Sequence, residues 1–308
     1  METWGAVPER TMIDAGAASL GALVYGPSAA PPVVLLHGWA DSAWSMDCVA
    51  APLADRYRVI SLDLRGHGHS DRGPYNMLNL IGDLRGAIES LDLDRPAIIG
   101  HSLGGQISAQ FCGLFPEVPR ALALVEGVGP PRHRLAGQDP DTLERERSRY
   151  QVERTRQPAR SRTLPDLATA EARLQEAHPL LDRARVTLLA RENTVFGPDG
   201  QRRWRFDPAS RDWFNGHGEE TAAQRWRGTR CPTLVVAGGD AYDRYWRHIT
   251  DDPADFPAPL QGEDLADRLA NFADVRYAEI PGAGHMVPYD RPDELNAVLA
   301  TFLAEVDG

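Results

Sequence analysis

Lysine is absent from the sequence: all 33 basic residues are arginine, against 44 Asp and Glu, for a net charge of −11. The all-arginine usage reads as coding bias rather than as selection for guanidinium geometry. The acidic surplus excludes the broad basic face that phosphate neutralisation needs, so no nucleic acid is expected as a partner. Cysteine is scarce and odd in number: Cys48, Cys112 and Cys231 each sit in an apolar segment, which excludes a disulfide scaffold and predicts free buried thiols. Long apolar runs are missing as well. The longest, such as Val33–Leu36 and Ala121–Val125, are strand length, against the roughly 20 residues of a membrane span. Met1–Arg10 carries Glu2 and Glu9 and shows no basic region followed by an apolar stretch, so no secretory signal is expected and a cytoplasmic location is.

With 308 residues, 42% hydrophobic and 25% charged, the chain is an ordinary globular one with enough length for one large or two modest domains. Short apolar runs bounded by Gly, Pro and Asp alternate with stretches of helical period. Strands are expected over 18–25, 32–36, 57–63, 96–100, 121–125, 231–237 and 275–280, and helices over 43–56, 77–91, 104–115 and 292–306. Alternation of this kind demands a mostly parallel sheet covered on both faces, with functional groups at the strand C-termini. Between 129 and 230 the rhythm stops, and helical patterns over 142–157 and 166–192 replace it. That stretch holds 20 Arg against 15 acidic residues, while the rest of the chain holds 13 against 29. The expected organisation is a core over 1–128 and 231–308 with a helical cap inserted over 129–230. Tyr150, Phe196, Trp204, Phe206, Trp213, Phe214 and Trp226 then either form the cap's own core or line a pocket.

Gly100-His101-Ser102-Leu103-Gly104 follows an apolar strand and opens a helix, the context in which G-x-S-x-G presents a nucleophile. The sharp turn leaves no room for Cβ atoms at 100 and 104, and the helix N-terminus favours developing negative charge. A serine hydroxyl needs a base. Of nine histidines, His285 is the best placed, in the loop Pro281-Gly282-Ala283-Gly284-His285-Met286 between the last strand and the last helix. His37 and His101 read as structural partners or as substrate contacts, and the latter role is also open to Trp204, Trp213 and Met286. His67 and His69 lack a nearby Cys or carboxylate ligand set, so no metal is expected. An oxyanion needs two preorganised N–H donors, expected from Leu103 and from Trp39 in the His37-Gly38-Trp39 loop.

These motifs, with Asp63-Leu64-Arg65-Gly66-His67-Gly68-His69-Ser70, resemble the α/β-hydrolase superfamily over all but the cap and the first residues. The resemblance implies the α/β-hydrolase fold, with Ser102 as nucleophile, His285 as base, Leu103 and Trp39 as oxyanion donors and 129–230 as the lid. The third member stays open. Most relatives place an acid after the seventh strand, nine residues beyond a leading proline; counted from Pro232 that position is Ala241, with Asp240 one residue early and Asp243 two late. A subset places it directly after the sixth strand, and Glu126 stands there, 24 residues beyond Ser102. Glu126 is the first choice, Asp240 and then Asp243 the alternatives.

The expected reaction is hydrolysis of an ester or thioester through an acyl-enzyme on Ser102, with no cofactor. A serine in place of aspartate counts against alkyl-enzyme chemistry of the dehalogenase or epoxide hydrolase kind. A meta-cleavage C–C hydrolase, a cofactor-free perhydrolase and a ligand receptor on the same scaffold are the rival readings. The expected partner is a small molecule with an apolar acyl or aryl part, and the chain is expected as a monomer or homodimer. The stretch 241–262 reads only as a pocket rim.

Overall fold

A computed structural model describes residues 7–131, 163–214, 219–249 and 253–308 and, between 131 and 163, only scattered helical residues from 141 to 153. The helix expected over 142–157 lies largely outside the described residues, and Tyr150 wholly so. The described strands are β1 (Glu9–Asp14), β2 (Ser19–Tyr25), β3 (Pro32–Leu36), β4 (Arg58–Leu62), β5 (Ala97–His101), β6 (Ala121–Val125), β7 (Thr163–Leu164), β8 (Thr194–Phe196), β9 (Arg202–Trp204), β10 (Thr233–Gly238) and β11 (Val275–Ile280). Eight of them form one sheet in the order β1-β2-β4-β3-β5-β6-β10-β11. Strand β2 runs antiparallel to both neighbours and the remaining pairs are parallel.

Two-sided burial explains the unbroken apolar runs of β5 and β6, every residue of which is buried. Side chains alternate between faces. Val34, Leu36, Ile98, Leu122 and Leu124 enter one core with α2 (Met77–Ser90) and α3 (Leu103–Leu114). Val33, Leu35, Ile99, Ala123 and Val125 enter the other, with α1 (Asp47–Leu53) and the closing helix Pro292–Asp307. The chain leaves β3 toward β4 and then crosses back to β5, so the loops after β3 and β5 diverge beside each other. Such a switch point is where an open α/β sheet forms a site.

The segment between β6 and β10 is not purely helical as expected. Helices α4 (Leu167–Ala177) and α5 (Arg183–Glu192) are separated where Pro179 cannot continue a helix, and β7, β9 and β8 form a small antiparallel sheet beside them. Side-chain bonds tie it down: Ser42 Oγ donates to Asn193 Oδ1 (2.6 Å) and Tyr75 OH donates to Asp207 (2.9 Å). Helix α6 (Glu219–Trp226), expected in the insertion, packs instead in the main core, where Trp226 is buried and stacks on Phe272 at 5.6 Å. Ala222 and Trp226, which lie before the expected boundary at 230, thus belong to the main core. No helix among the described residues is long and apolar enough to cross a membrane.

Candidate active site

Strand β5 ends at His101 and α3 begins at Leu103, leaving Ser102 alone at φ 50°, ψ −114°. A β-carbon on Gly100 would stand 2.4 Å from the Gly104 carbonyl oxygen, and one on Gly104 would stand 2.3 Å from that of Leu36. Both glycines are steric requirements of the turn. The Ser102 amide donates to Val125 O (2.9 Å), which fixes the elbow against β6 and lifts Oγ above the sheet edge.

Ser102 Oγ lies 3.0 Å from His285 Nε2, and His285 Nδ1 lies 3.0 Å from Glu126 Oε2. His285 is buried in the turn after β11, held by Gly284 N donating to Asp290 (2.7 Å) and by His101 Nε2 donating to the His285 carbonyl (2.9 Å). Glu126 follows β6 directly at φ 50°, its amide bonded to Val236 O. Its Oε1 accepts from Gly238 N (2.8 Å), and its Oε2 also accepts from Trp246 Nε1 (3.3 Å). Of the three acids left open by the sequence, Glu126 alone reaches His285. Asp240 is exposed, its amide bonded to Ala283 O and its carboxylate turned to solvent, while Asp243 pairs with Arg247 at 3.2 Å.

The loop after β3 is clamped by histidines. His37 Nε2 accepts from Leu64 N (3.0 Å), His37 Nδ1 donates to Gly38 O (2.7 Å), and the His37 carbonyl accepts from Gly104 N (3.1 Å). His67 Nε2 accepts from Ala40 N (3.1 Å), holding Ala40 at φ 66°. Burial keeps these rings neutral: His37 is driven well below the usual imidazole range, His67 to about 4 and His101 to about 3. The Trp39 and Leu103 amides donate to no group among the described residues, so two N–H groups beside Ser102 remain available to an oxygen. The Asp63–Ser70 motif is scaffold: Asp63 accepts from Ala43 N and His69 N, and Arg65 forms a buried pair with Asp83.

The expected substrate contacts divide. His37 and His101 are spent on backbone bonds within the scaffold, Trp204 packs against Leu164, Ala170 and Ala190 inside the insertion, and Met286 packs against Leu181, Val186, Leu189 and Tyr289. The Trp213 side chain lies outside the described residues. Above Trp39 sit Phe206 (rings 5.4 Å apart), Ser210, which accepts the Trp39 indole N–H (3.1 Å), and the Arg211 guanidinium, 5.7 Å from the ring. The stretch after Asp240, read in the sequence only as a pocket rim, carries Tyr245 and Trp246 onto His285, at 4.2 Å stacked and 4.8 Å edge-on. Two adjacent aromatics in a loop with no core to fill were the available signal. No group of three or more His, Cys, Asp or Glu among the described residues is placed to hold a metal ion.

The chain belongs to the alpha/beta hydrolase family, whose model matches residues 33–298. The human "Serine hydrolase-like protein 2" is 24% identical over 298 residues, 92% of this chain and 90% of that one. A zebrafish (Danio rerio) "Serine hydrolase-like protein" is 36% identical over 110 residues, a match spanning 34% of each chain, so only about a third of that relative's length is covered. Among solved structures, the thioesterase domain from the curacin biosynthetic pathway superposes with a TM-score of 0.76 at 22% identity, covering 96% of this chain and 99% of that one. At that identity the likeness speaks for the fold.

Proposed function

We propose that the protein is a serine hydrolase that cleaves esters or thioesters of a small molecule with an apolar acyl or aryl part. The carrying observation is the unbroken hydrogen-bonded line Ser102–His285–Glu126, 3.0 Å at each step, beside two unengaged amides. In this reading His285 Nε2 takes the Ser102 proton as Oγ attacks the carbonyl carbon. Glu126 fixes the imidazole tautomer and stabilises the imidazolium, and the oxyanion is held by the Trp39 and Leu103 amides. Collapse of the tetrahedral intermediate expels the alcohol or thiol, which takes the proton from His285. Water, deprotonated by His285, then attacks the acyl-enzyme, the acid departs and Ser102 recovers its proton. The insertion expected over 129–230 is the proposed lid, and its described part brings Phe206, Ser210 and Arg211 onto Trp39.

Aryl esters of increasing acyl length, offered to wild type and Ser102→Ala, test the reading. Turnover by wild type that falls at least about a thousandfold in Ser102→Ala, at an unchanged melting temperature, supports it. Equal turnover by both would overturn it. Failure of folded wild type on every ester and thioester would move the assignment to C–C cleavage or to a receptor.

A further inference from the structure

We propose that Tyr245 and Trp246 are positioning residues of the relay, Tyr245 through its ring laid on the His285 imidazole and Trp246 through an indole N–H shared onto the Glu126 oxygen that His285 uses. The kinetic part of this inference rests on the serine-hydrolase reading; the geometric part does not.

The chain leaves β10 through the short helix Ala241–Arg244, and Tyr245, at φ −138°, ψ −63°, breaks the helical path before a second short turn over Trp246–His248. That break aims two consecutive side chains at one imidazole. The Tyr245 and His285 rings are 4.2 Å apart and 11° from parallel, while the Trp246 ring meets His285 at 4.8 Å and 70°. The loop is braced from behind by Tyr242 OH donating to Phe256 O (2.8 Å) and by Trp246 against Phe256 (6.2 Å). Both rings are more than packing, because each meets a group that changes charge or balances a charge in the proposed reaction.

Their effects on a protonated His285 have opposite signs. An aromatic face stabilises a cation lying on it, so the Tyr245 ring favours the imidazolium. The Trp246 N–H draws on the same carboxylate oxygen that His285 Nδ1 addresses (3.3 Å and 3.0 Å), so it holds Glu126 in place while weakening its pull on the imidazolium. The other groups around His285 stay fixed in the test: Ser102 at Nε2, His101 with its ring 5.2 Å away, and the Arg244–Asp290 pair (3.2 Å) behind Gly284. Arg211, whose charge acts on the Tyr245 phenol, and His178, packed on Tyr289, are likewise untouched.

The test is a proton-NMR titration of the His285 ring in the full chain, its signal identified by its loss in His285→Gln, for wild type, Tyr245→Leu, Tyr245→Phe and Trp246→Phe. Leucine keeps the imidazole dry but removes the π face, and phenylalanine at 246 keeps the ring but removes the donor. The expected result is a proton affinity about two- to tenfold lower in Tyr245→Leu, restored in Tyr245→Phe, and about two- to threefold higher in Trp246→Phe. The acid limb of kcat/KM for an aryl ester moves with each. Shifts of the same sign in Tyr245→Leu and Trp246→Phe, or no shift in either, would overturn the proposal, since a merely structural role alters stability without opposing titrations. Opposed shifts without ester turnover would keep the positioning and sink the hydrolase reading. Ester turnover with unmoved titrations would do the reverse.

Discussion

Replacing Glu126 by glutamine removes one charge at constant shape, and the geometry of its partners sets the consequence. The carboxylate accepts N–H donors on both oxygens: Gly238 on Oε1, His285 and Trp246 on Oε2. A carboxamide has one accepting oxygen. If that oxygen faces His285 and Trp246, the NH2 group opposes the Gly238 N–H. If it faces Gly238, the NH2 group donates to His285 Nδ1 and moves the ring proton to Nε2, where the ring no longer accepts from Ser102. Either arrangement also removes the anion that balances the imidazolium. The expected loss is about 10²- to 10⁴-fold in kcat, or about 3 to 5 kcal/mol of barrier, with KM little changed. Asp240→Asn, on an exposed side chain, stays within about twofold. Both are measured by aryl-ester kinetics with thermal unfolding in parallel. Full activity in Glu126→Gln alongside a collapse in Asp240→Asn would refute the reasoning.

A methyl group at Gly104 meets the Leu36 carbonyl at 2.3 Å and has no flexible neighbour to displace, so Gly104→Ala loses about 1 to 3 kcal/mol of stability and most activity. Gly82→Ala, at an exposed position of α2 with nothing within 4 Å, gains about 0.5 to 1 kcal/mol by chemical denaturation. Asp83→Asn strands the buried Arg65 guanidinium and costs about 3 to 5 kcal/mol, which a paired Arg65→Met/Asp83→Leu replacement largely restores. Acid dependence arises from the buried imidazoles. His67, held near 4 by burial, refuses a proton that the unfolded chain takes up below about 6.5, so stability falls as pH drops through that window. The slope of unfolding free energy against pH between 6.5 and 4.5 is therefore shallower in His67→Gln than in wild type, by up to about 1.4 kcal/mol per unit; an unchanged slope would place the proton elsewhere.

What was legible in the sequence was local. The strand-turn-helix around Ser102 is encoded within a few residues, and the fully buried strands β5 and β6 announce themselves as apolar runs. Strand β1 escaped because it is an edge strand whose one buried side chain is Ile13. The small sheet escaped because its strands are two or three residues long and carry Thr, Arg and Trp rather than an alternating pattern. Trp226 was grouped with the insertion because its arginine-rich neighbours hide a helix that packs on α3. The acid stayed open because Glu126 and Asp240 end adjacent strands, and which one reaches His285 depends on where the chain turns after β10. The Asp240 amide bonds to Ala283 O and leaves its carboxylate in solvent, and no local pattern reports that. Tyr245 and Trp246 were missed for the same reason: their meaning lies in the ring they cover, 40 and 39 residues further along.

The most direct test of the central proposal is covalent labelling with an aryl fluorophosphonate, which reacts fastest with a serine activated by a base and aligned with oxyanion donors. Peptide mass mapping is predicted to place one adduct on Ser102, at a rate that falls steeply in His285→Gln and in Glu126→Gln. A label on another residue, or labelling of Ser102 that is indifferent to both substitutions, would contradict the account.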